Sequence, residues 1–236
     1  MREERCSLLP KTQAARGVDT LNRGGVAVGY DLASYIYEPV NSLLEVPTGI
    51  RKARKELIKK ARGKVIELGL GTGLNLPLYP EDVEVVGIDV SGKMLEKARK
   101  KHSKARVSLM KADAGNLPFP DGSFDTAVST FFLCVVPRKG EGIKELRRVL
   151  RPGGFLLVME CSPPDNPIFR AFLGSLSAVT SRLTGTDFRV NIGVLLEENG
   201  FSVVGEQKLV NGAVRVLTTL SEKEQKSYSG KEPAEP

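Results

Sequence analysis

Five short apolar runs, separated by segments with helical periodicity, dominate residues 64–161 of the chain. Each run is almost continuously apolar, which is typical of a strand that is buried on both faces of a sheet. Strands that alternate with helices in this way pair in parallel through right-handed crossovers. The sequence therefore predicts an α/β fold, a doubly wound sheet with helices on both faces. The predicted strands cover residues 64–68, 83–89, 105–111, 124–130 and 154–161.

The pattern changes after residue 161. Two further β-rich runs, FSVVGEQKL and AVRVLTTL, are separated only by a short turn that contains Asn211 and Gly212. Asn-Gly between apolar runs is typical of a β-hairpin, and strands joined so tightly must be antiparallel. The predicted sheet is therefore Rossmann-like, with five parallel strands and a C-terminal antiparallel hairpin. Helices are predicted at residues 51–64, 91–101, 140–150, 167–184 and 192–199.

Positive charge is concentrated at the start of the chain. The whole sequence carries 35 Lys and Arg against 28 Asp and Glu, and residues 1–64 alone hold 13 basic against 7 acidic side chains. In the most basic stretch, residues 51–64, and just before it, apolar residues fall near helical spacing. We expect an amphipathic helix whose lysines and arginines form the solvated face. Peripheral contact with an anionic membrane is an alternative, and contact with nucleic acid is a less favoured one.

The cysteines and the N-terminus limit the classes of protein that the sequence suggests. Cys6, Cys134 and Cys161 are odd in number and have no CxxC spacing, so we expect neither a disulfide framework nor a metal site. The first residues carry charges where a signal peptide needs an apolar stretch, and no window approaches the roughly 20 apolar residues of a membrane span. We therefore expect a cytoplasmic protein.

A glycine-rich turn directly follows the first predicted strand. Gly69, Gly71 and Gly73 remove side chains, so the backbone can turn sharply and approach a ligand. The dinucleotide fingerprint GxGxxG would need glycine or alanine at position 74, where the chain has Leu74. The acid just before the turn, Glu67, can accept hydrogen bonds from an ammonium group or from the amides of the turn.

Two further acids follow the next two strands. Asp89 ends the second predicted strand, where a carboxylate can accept both hydroxyls of a ribose; a simpler interpretation is that it caps the next helix. Asp113 follows the third strand, where it can accept from an adenine amine while the next backbone N–H donates to the ring. By itself, Asp113 is explained equally well as an ordinary residue of a turn.

The order and spacing of these pieces resemble a known family. The runs IELGLGTG, VVGIDVSGKMLEKARKK, ADAGNLPFPDGSFDTAVS and ELRRVLRPGGFLLVMECS are similar to successive motifs of class I S-adenosylmethionine-dependent methyltransferases. The similarity is greatest to the branch that contains phosphatidylethanolamine N-methyltransferases and ubiquinone/menaquinone C-methyltransferases. It implies the cofactor S-adenosylmethionine and a methyltransferase domain at residues 30–220. Residues 1–29 are expected to form an arm, residues 30–63 a helical lid, and residues 221–236 a flexible tail.

The resemblance also implies roles for individual residues. Around the methionine part of the cofactor it places Glu67, Gly69, Gly71 and Gly73. At the ribose and the adenine it places Asp89, Val90, Met94, Asp113 and Ala114. At the border between the methionine part and the acceptor it places Thr130 and Phe131, which could equally be ordinary residues of the strand end. More weakly, it implies that Tyr30, Tyr37 and Cys134 line the acceptor site, although packing in the core explains these three as well.

The methyl acceptor is not fixed by the sequence. Methyl transfer from a sulfonium is an in-line displacement whose reactivity resides in the cofactor, so no catalytic residue is assigned. The segment FFLCVV replaces a run that often contains histidine in relatives. A phospholipid amine is slightly favoured as the acceptor, followed by a small thiol and then a quinone. Two other classes stay open, a non-catalytic module that binds the cofactor or RNA, and an NAD-dependent oxidoreductase.

Overall fold

The structure is a computed structural model that describes residues 45–136, 138–183 and 187–222, and the side chains of residues 178–183 lie outside that description. The helices of the described part are α1 (Ile50–Ile58), α2 (Gly92–Ala98), α3 (Lys139–Val149), α4 (Pro167–Leu183) and α5 (Ile192–Glu198). Its strands are β1 (Lys64–Leu68), β2 (Glu84–Asp89), β3 (Arg106–Lys111), β4 (Phe124–Thr130), β5 (Leu150–Cys161), β6 (Phe201–Leu209) and β7 (Val214–Ser221). Short 3₁₀ turns lie at Leu76–Leu78 and Val210–Gly212.

All seven of these strands form one sheet in the order β3-β2-β1-β4-β5-β7-β6. Strands β1 to β5 pair in parallel, and β7 is antiparallel to both β5 and β6. The predicted fold, with five parallel strands and an antiparallel terminal hairpin, is confirmed. The strand order reverses between β1 and β4, and ligands of such sheets bind in the crevice outside the carboxyl ends at that point. The fold thus places the ends of β1, β2 and β4 around one crevice.

Helices cover both faces of the sheet, as the apolar strands predict. On one face, α3 and α5 pack on the sheet, and Leu146 of α3 belongs to the same apolar cluster as Ile66 of β1. On the other face, α1 and α2 contribute Leu57 and Leu95 to a second cluster that contains Val65. Neighbouring residues of β1 thus point into different clusters, because successive side chains of a strand lie on opposite faces.

Three element boundaries differ from the prediction by three residues or more. Helix α1 ends at Ile58, six residues before the predicted end at residue 64. Strand β5 begins at Leu150 rather than at residue 154, because Leu150 pairs with Phe124 before a shift of register in β4. The Pro-Gly-Gly run at residues 152–154 is therefore part of an irregular strand start rather than a turn before it. Helix α2 ends at Ala98, three residues short of the predicted end.

Several predictions fall on residues that the structure does not describe. The arm at residues 1–29, most of the lid with Tyr30 and Tyr37, and nearly all of the tail lie outside the described residues. The predicted domain boundaries therefore stay predictions. Among the described helices, none is both long enough and apolar enough to cross a membrane.

Candidate cofactor site

The glycine turn after β1 is tied to the end of β2 by hydrogen bonds from two of its backbone N–H groups. The Leu70 N–H donates to the carbonyl of Ile88 at 3.0 Å, and the Gly71 N–H donates to Oδ2 of Asp89 at 2.8 Å. The second oxygen of Asp89 accepts from the N–H of Ser91 at 2.9 Å, at the start of α2. One carboxylate therefore fixes both the glycine turn and the first residues of the next helix.

The glycines of the turn are needed for different reasons. Gly73 has a φ of +79°, and a Cβ placed on it would lie 3.0 Å from Cβ of Ala98 and 2.8 Å from a methyl of Leu76. Gly71 has a φ of +59°, but a Cβ placed on it would have only the carbonyl oxygen of Gly69 within 4 Å, at 3.9 Å. The turn is thus packed against α2 at Gly73 and open at Gly71, as a surface that admits a ligand needs to be.

Glu67 lies below this turn, and its carboxylate is fully buried. Its Oε1 accepts from Nδ2 of Asn75 at 2.7 Å, and its Oε2 accepts from the hydroxyl of Tyr79 at 2.7 Å. It therefore holds the segment that follows the turn through side chains, whereas the sequence suggested the turn's own amides. Burial raises the pKa of Glu67 to about 7, although the bonds from Tyr79 and Asn75 and the charge of Arg54 act in the opposite direction.

Arg54 of α1 reaches into the same network and was missed in the sequence. Only 5% of the residue is exposed. Its Nη1 donates to Oδ1 of Asn75 at 3.0 Å and to Oγ1 of Thr130 at 3.2 Å, and its Nη2 donates to the carboxylate of Glu45. The prediction that the basic residues of this helix form a solvated face holds for the lysines, such as Lys55, but is wrong for Arg54. Its Nε is buried without a hydrogen-bond partner among the described residues.

The end of β4 brings Thr130 and Phe131 next to this network. The Thr130 hydroxyl also accepts from Nδ2 of Asn75 at 3.0 Å. Phe131 has a φ of +52°, which is strained for a bulky residue, and its N–H donates to the carbonyl of Met159 at 2.8 Å. The guanidinium of Arg54 lies 5.5 Å from the centre of the Phe131 ring. The end of β4 thus combines a strained backbone, an aromatic ring and a buried cation.

The turn that follows β4 is held by a second buried carboxylate. Glu160 of β5 accepts the N–H groups of Phe132, Leu133 and Cys134 at 2.8–3.1 Å and the hydroxyl of Ser129 at 3.0 Å. Burial raises the pKa of Glu160, while the backbone N–H bonds act in the opposite direction. Glu160 was also missed in the sequence, where the signal was a lone acid inside an apolar strand.

Cys134 lies in this turn at the end of β4, where an acceptor site is predicted. The residue is buried. The pKa of its thiol is raised well above the usual value, first by a hydrogen bond with Cys161 and then by burial. Such a thiol stays protonated at neutral pH, which suits packing against an acceptor and not nucleophilic attack.

The predicted adenine residues lie just after β2 and β3, except for Met94, which lies in α2. Val90 is exposed, whereas Met94 and Ala114 are buried. The N–H of Ala112 donates to the carbonyl of Asp89 at 3.3 Å, so the two strand ends are joined. Oδ1 of Asp113 accepts from the N–H of Gly115 at 2.9 Å, which is the contact of a turn residue.

Oδ2 of Asp113 accepts from Arg138, which precedes α3, at 3.3 Å. The side chain of Asp113 keeps 27% of its surface exposed, so part of the carboxylate stays accessible. An adenine amine would therefore share this carboxylate with the turn and with Arg138.

Some of the predicted site residues are thus linked by hydrogen bonds, and others lie next to them after strand β3. Asn75 joins Glu67 to Thr130, and Asp89 joins the glycine turn to β2. Asp113 and Ala114 follow on the adjoining strand β3. The open space at Gly71 and the accessible carboxylate of Asp113 fit an adenosine-containing cofactor. The roles of the individual residues in binding it stay predictions.

Comparisons with known proteins agree with this arrangement. The family model described as a methyltransferase domain matches residues 66–158. A phosphatidylethanolamine N-methyltransferase from Cereibacter sphaeroides is 44% identical over 125 residues, which is 51% of this chain and 58% of that protein. A ubiquinone/menaquinone biosynthesis C-methyltransferase from Geobacter sp. (strain M21) is 35% identical over 161 residues, which is 62% of this chain and 64% of that protein. The chain spans less than two thirds of the length of either relative.

A solved structure has the same fold. It is a SAM-dependent methyltransferase from Thermotoga maritima, described as a possible histamine N-methyltransferase, with 24% identity and a TM-score of 0.64 over 82% of this chain and 99% of that one. The comparisons support the predicted cofactor, S-adenosylmethionine, and the predicted class of enzyme. Residues 66–158 thus match the family model of a methyltransferase domain, and the seven-stranded sheet has the fold of a solved methyltransferase, as the motifs in the sequence predict.

Proposed function

We propose that the chain transfers the methyl group of S-adenosylmethionine to the amine of a phospholipid. The observation that carries the first half of this proposal is the linked crevice, in which Asp89 holds the open turn at Gly71 and Glu67 holds the segment behind it. The second half is supported by the 44% identity to a phosphatidylethanolamine N-methyltransferase.

The residues of the crevice suit the cofactor as follows. The Asp89 carboxylate would accept from the ribose hydroxyls, since each of its oxygens can accept more than one bond. The Glu67 carboxylate lies behind the turn and would favour a cationic ammonium nearby. When bound, the cofactor supplies a methyl group on a cationic sulfur, so the protein need not activate the donor.

The protein's own part is to orient the acceptor and to exclude water. Phe131 is partly buried after the end of β4 and Cys134, three residues later, is buried, so both add apolar surface beside the polar groups of Thr130 and Arg54. Such apolar surface suits a neutral amine, whose lone pair attacks the methyl carbon without a base. The proton that the product loses can then pass to water. Glu160 is an unsuitable base, because its oxygens already accept three N–H groups and a hydroxyl.

A quinone carbon is the second candidate acceptor. The observation in its favour is the longer alignment, 161 residues, with a quinone C-methyltransferase. For its ring carbon to attack, the quinone must be in the reduced, phenolic form, and a base must remove the phenolic proton; a neutral amine attacks with its own lone pair. A quinone acceptor would therefore need a base, whereas the described carboxylates of the crevice already accept hydrogen bonds within the protein, namely those of Glu67, Asp89, Asp113 and Glu160.

The test is incubation of the full chain with methyl-labelled S-adenosylmethionine and separate lipid, quinone, thiol, protein and RNA fractions. We expect label in the lipid fraction and, after hydrolysis, on the headgroup nitrogen. Asp89→Ala is the inactive variant, and Asp82→Ala, at an exposed acid just before β2, is the matched control that keeps activity. Label in the quinone fraction alone would favour the second candidate. Label in no fraction, with cofactor still bound, would favour a non-catalytic module.

A further inference from the structure

Three large apolar side chains stand exposed along one face of α4. They are Ile168, Phe172 and Leu176, which keep 81%, 63% and 40% of their surface exposed. Their spacing of four residues places them in a row on the helix surface. A fourth exposed apolar residue, Val210, lies in the turn between β6 and β7 and keeps 37% exposed. We call these four side chains the apolar ridge.

The outward orientation of the row on α4 is fixed by contacts on the other side of the helix. Asn166 caps the helix, because its Oδ1 accepts from the N–H groups of Ile168 and Phe169 at 3.0 Å. Leu173 and Ser177 are buried, and the Ser177 hydroxyl accepts from the N–H of Phe188 at 3.0 Å. The helix therefore cannot rotate to bury the exposed row without breaking these contacts.

Val210 is held outward at a cost in backbone strain. Its φ is +49° and that of Asn211 is +53°, and a positive φ is a true outlier for a β-branched residue. The carbonyl of Asn211 accepts from the N–H of Asp165 at 2.9 Å, directly before the cap of α4. The strained turn and the start of α4 are thus one continuous piece of surface.

The apolar ridge lies at the same edge of the sheet as the candidate cofactor site. Strand β6 runs in the direction of β5, because β7 is antiparallel to both, so the turn at Val210 is at the carboxyl edge. After α4, the chain returns to this edge, where the N–H of Asp187 donates to the carbonyl of Cys134 at 3.2 Å. The ridge therefore borders the side of the crevice where the acceptor is expected to enter.

The charges around the apolar ridge are mainly positive. Residues 167–183 contain two arginines and no acid. Arg170 is exposed on α4 and donates to the carbonyls of Pro164 and Asp165. Next to the start of α4, the cations Arg170, Lys208 and Arg215 surround the acids Asp165 and Glu206, so this cluster has one more positive than negative charge. An apolar row on a helix whose own charged residues are all basic is typical of a helix that lies in the interface of an anionic bilayer.

We propose that the apolar ridge docks on the surface of an anionic phospholipid bilayer. This inference rests on the proposed lipid acceptor, and it adds the surface through which the acceptor is reached. A second copy of the chain fits less well, because a stable protein interface takes about 20–30 residues on each side and the ridge offers four side chains. Docking brings lipid headgroups to the edge at which Thr130 and Phe131 end β4.

The chain contains no tryptophan, which permits a direct test with the full chain. Phe172→Trp places one fluorophore on the apolar ridge, and Val194→Trp places one at a similarly exposed site on α5 as the matched control. The probe is vesicles of phosphatidylglycerol and phosphatidylcholine, with and without brominated acyl chains. We expect emission of Phe172→Trp to shift to the blue and to be quenched by the brominated lipid, and emission of Val194→Trp to remain unchanged.

Flotation with the same vesicles measures the contribution of the ridge. We expect Ile168→Ser/Phe172→Ser to reduce binding by at least about tenfold, since two large apolar side chains lose their burial in lipid. Val194→Ser/Val204→Ser, at exposed valines outside the ridge, should stay within about twofold of the parent. Equal binding by both double variants would overturn the inference.

Two further results would also overturn it. Blue emission of Phe172→Trp without vesicles that depends on protein concentration would assign the ridge to a second copy. The same emission independent of concentration would assign it to another segment of this chain.

Methylation of the proposed acceptor is measured separately from docking, with a short-chain phosphatidylethanolamine that is monomeric in solution. If the parent methylates this lipid and shows no docking, only the docking surface fails. If it docks through the ridge and methylates no lipid, docking stands and the acceptor proposal fails.

Discussion

The guanidinium of Arg54 donates to the hydroxyl of Thr130 over 3.2 Å, which ties α1 to the end of β4 inside the protein. The same side chain is paired with Glu45 and bonded to Asn75. A residue of the basic helix thus becomes part of the wall of the candidate cofactor site.

The first prediction concerns the stability that this pair provides. Arg54→Met leaves the Glu45 carboxylate without its partner, so we expect the free energy of unfolding to fall by about 3–5 kcal/mol. Lys55→Met, at the exposed neighbouring position, should change it by less than about 0.5 kcal/mol. Urea denaturation measures both. The double variant Glu45→Gln/Arg54→Met should recover part of the loss, and equal stability of the two single variants would contradict the network.

The second prediction follows from the raised pKa of Glu67. Between its usual pKa of 4.5 and the folded value of about 7, the folded state binds more protons than the unfolded state. The free energy of unfolding should therefore fall as pH rises through this window, by about 3 kcal/mol in total at roughly 1.4 kcal/mol per unit. Glu67→Gln cannot titrate, so its stability should fall less between pH 5 and pH 8. Parallel pH profiles of parent and variant would contradict the assignment.

The third prediction separates packing from ligand access in the glycine turn. Gly73→Ala places a methyl against Ala98 and Leu76 at a positive φ, so it should destabilise by about 2 kcal/mol or more. Gly71→Ala enters open space and should cost about 1 kcal/mol, from its positive φ alone. Affinity for S-adenosylhomocysteine should nevertheless fall more in Gly71→Ala. Denaturation measures the loss of stability, and calorimetry measures the loss of affinity for S-adenosylhomocysteine. If the same variant shows the larger loss in both assays, the account is contradicted.

The fold was largely predictable because burial of the strands leaves a strong signal. Near-continuous apolar runs such as that of β1 mark strands with two covered faces, and the Asn-Gly turn before β7 marks the hairpin. The start of β5 was not predictable, since Pro152 and Gly153 read as a turn and the strand continues through them only by pairing with β4.

The candidate site was predictable where its residues form local motifs, and not where they come from elsewhere in the chain. Arg54 sits four residues from both Ile50 and Ile58, which is the spacing of the apolar face, but the surrounding lysines hid this signal. The partners of Glu160 are backbone amides 26–28 residues earlier, which no pattern of side chains records. The positive φ of Phe131 has no signal in a residue of its type.

The fourth prediction tests Asp113 against its interpretation as a turn residue. If Asp113 accepts from the adenine, Asp113→Ala should weaken binding of S-adenosylhomocysteine by about tenfold, and Asp113→Asn should weaken it less. Arg138→Ala, which removes the ion pairs of this arginine with Asp113 and Glu141 but keeps the Asp113 carboxylate, is the matched control and should bind normally. Should Asp113→Ala bind as tightly as the parent, this segment is a turn and nothing more.

The most direct test of the central claim, that this crevice binds the cofactor through Asp89, is a calorimetric titration with S-adenosylhomocysteine. We expect the parent to bind it and not to bind NAD. Asp89→Ala should lose on the order of 2–4 kcal/mol, or about 30- to 1,000-fold in affinity, because two ribose hydroxyls lose their acceptor. Asp82→Ala, at an exposed acid, should bind as the parent does. Binding of NAD by the parent, or an unchanged affinity in a folded Asp89→Ala variant, would contradict the account.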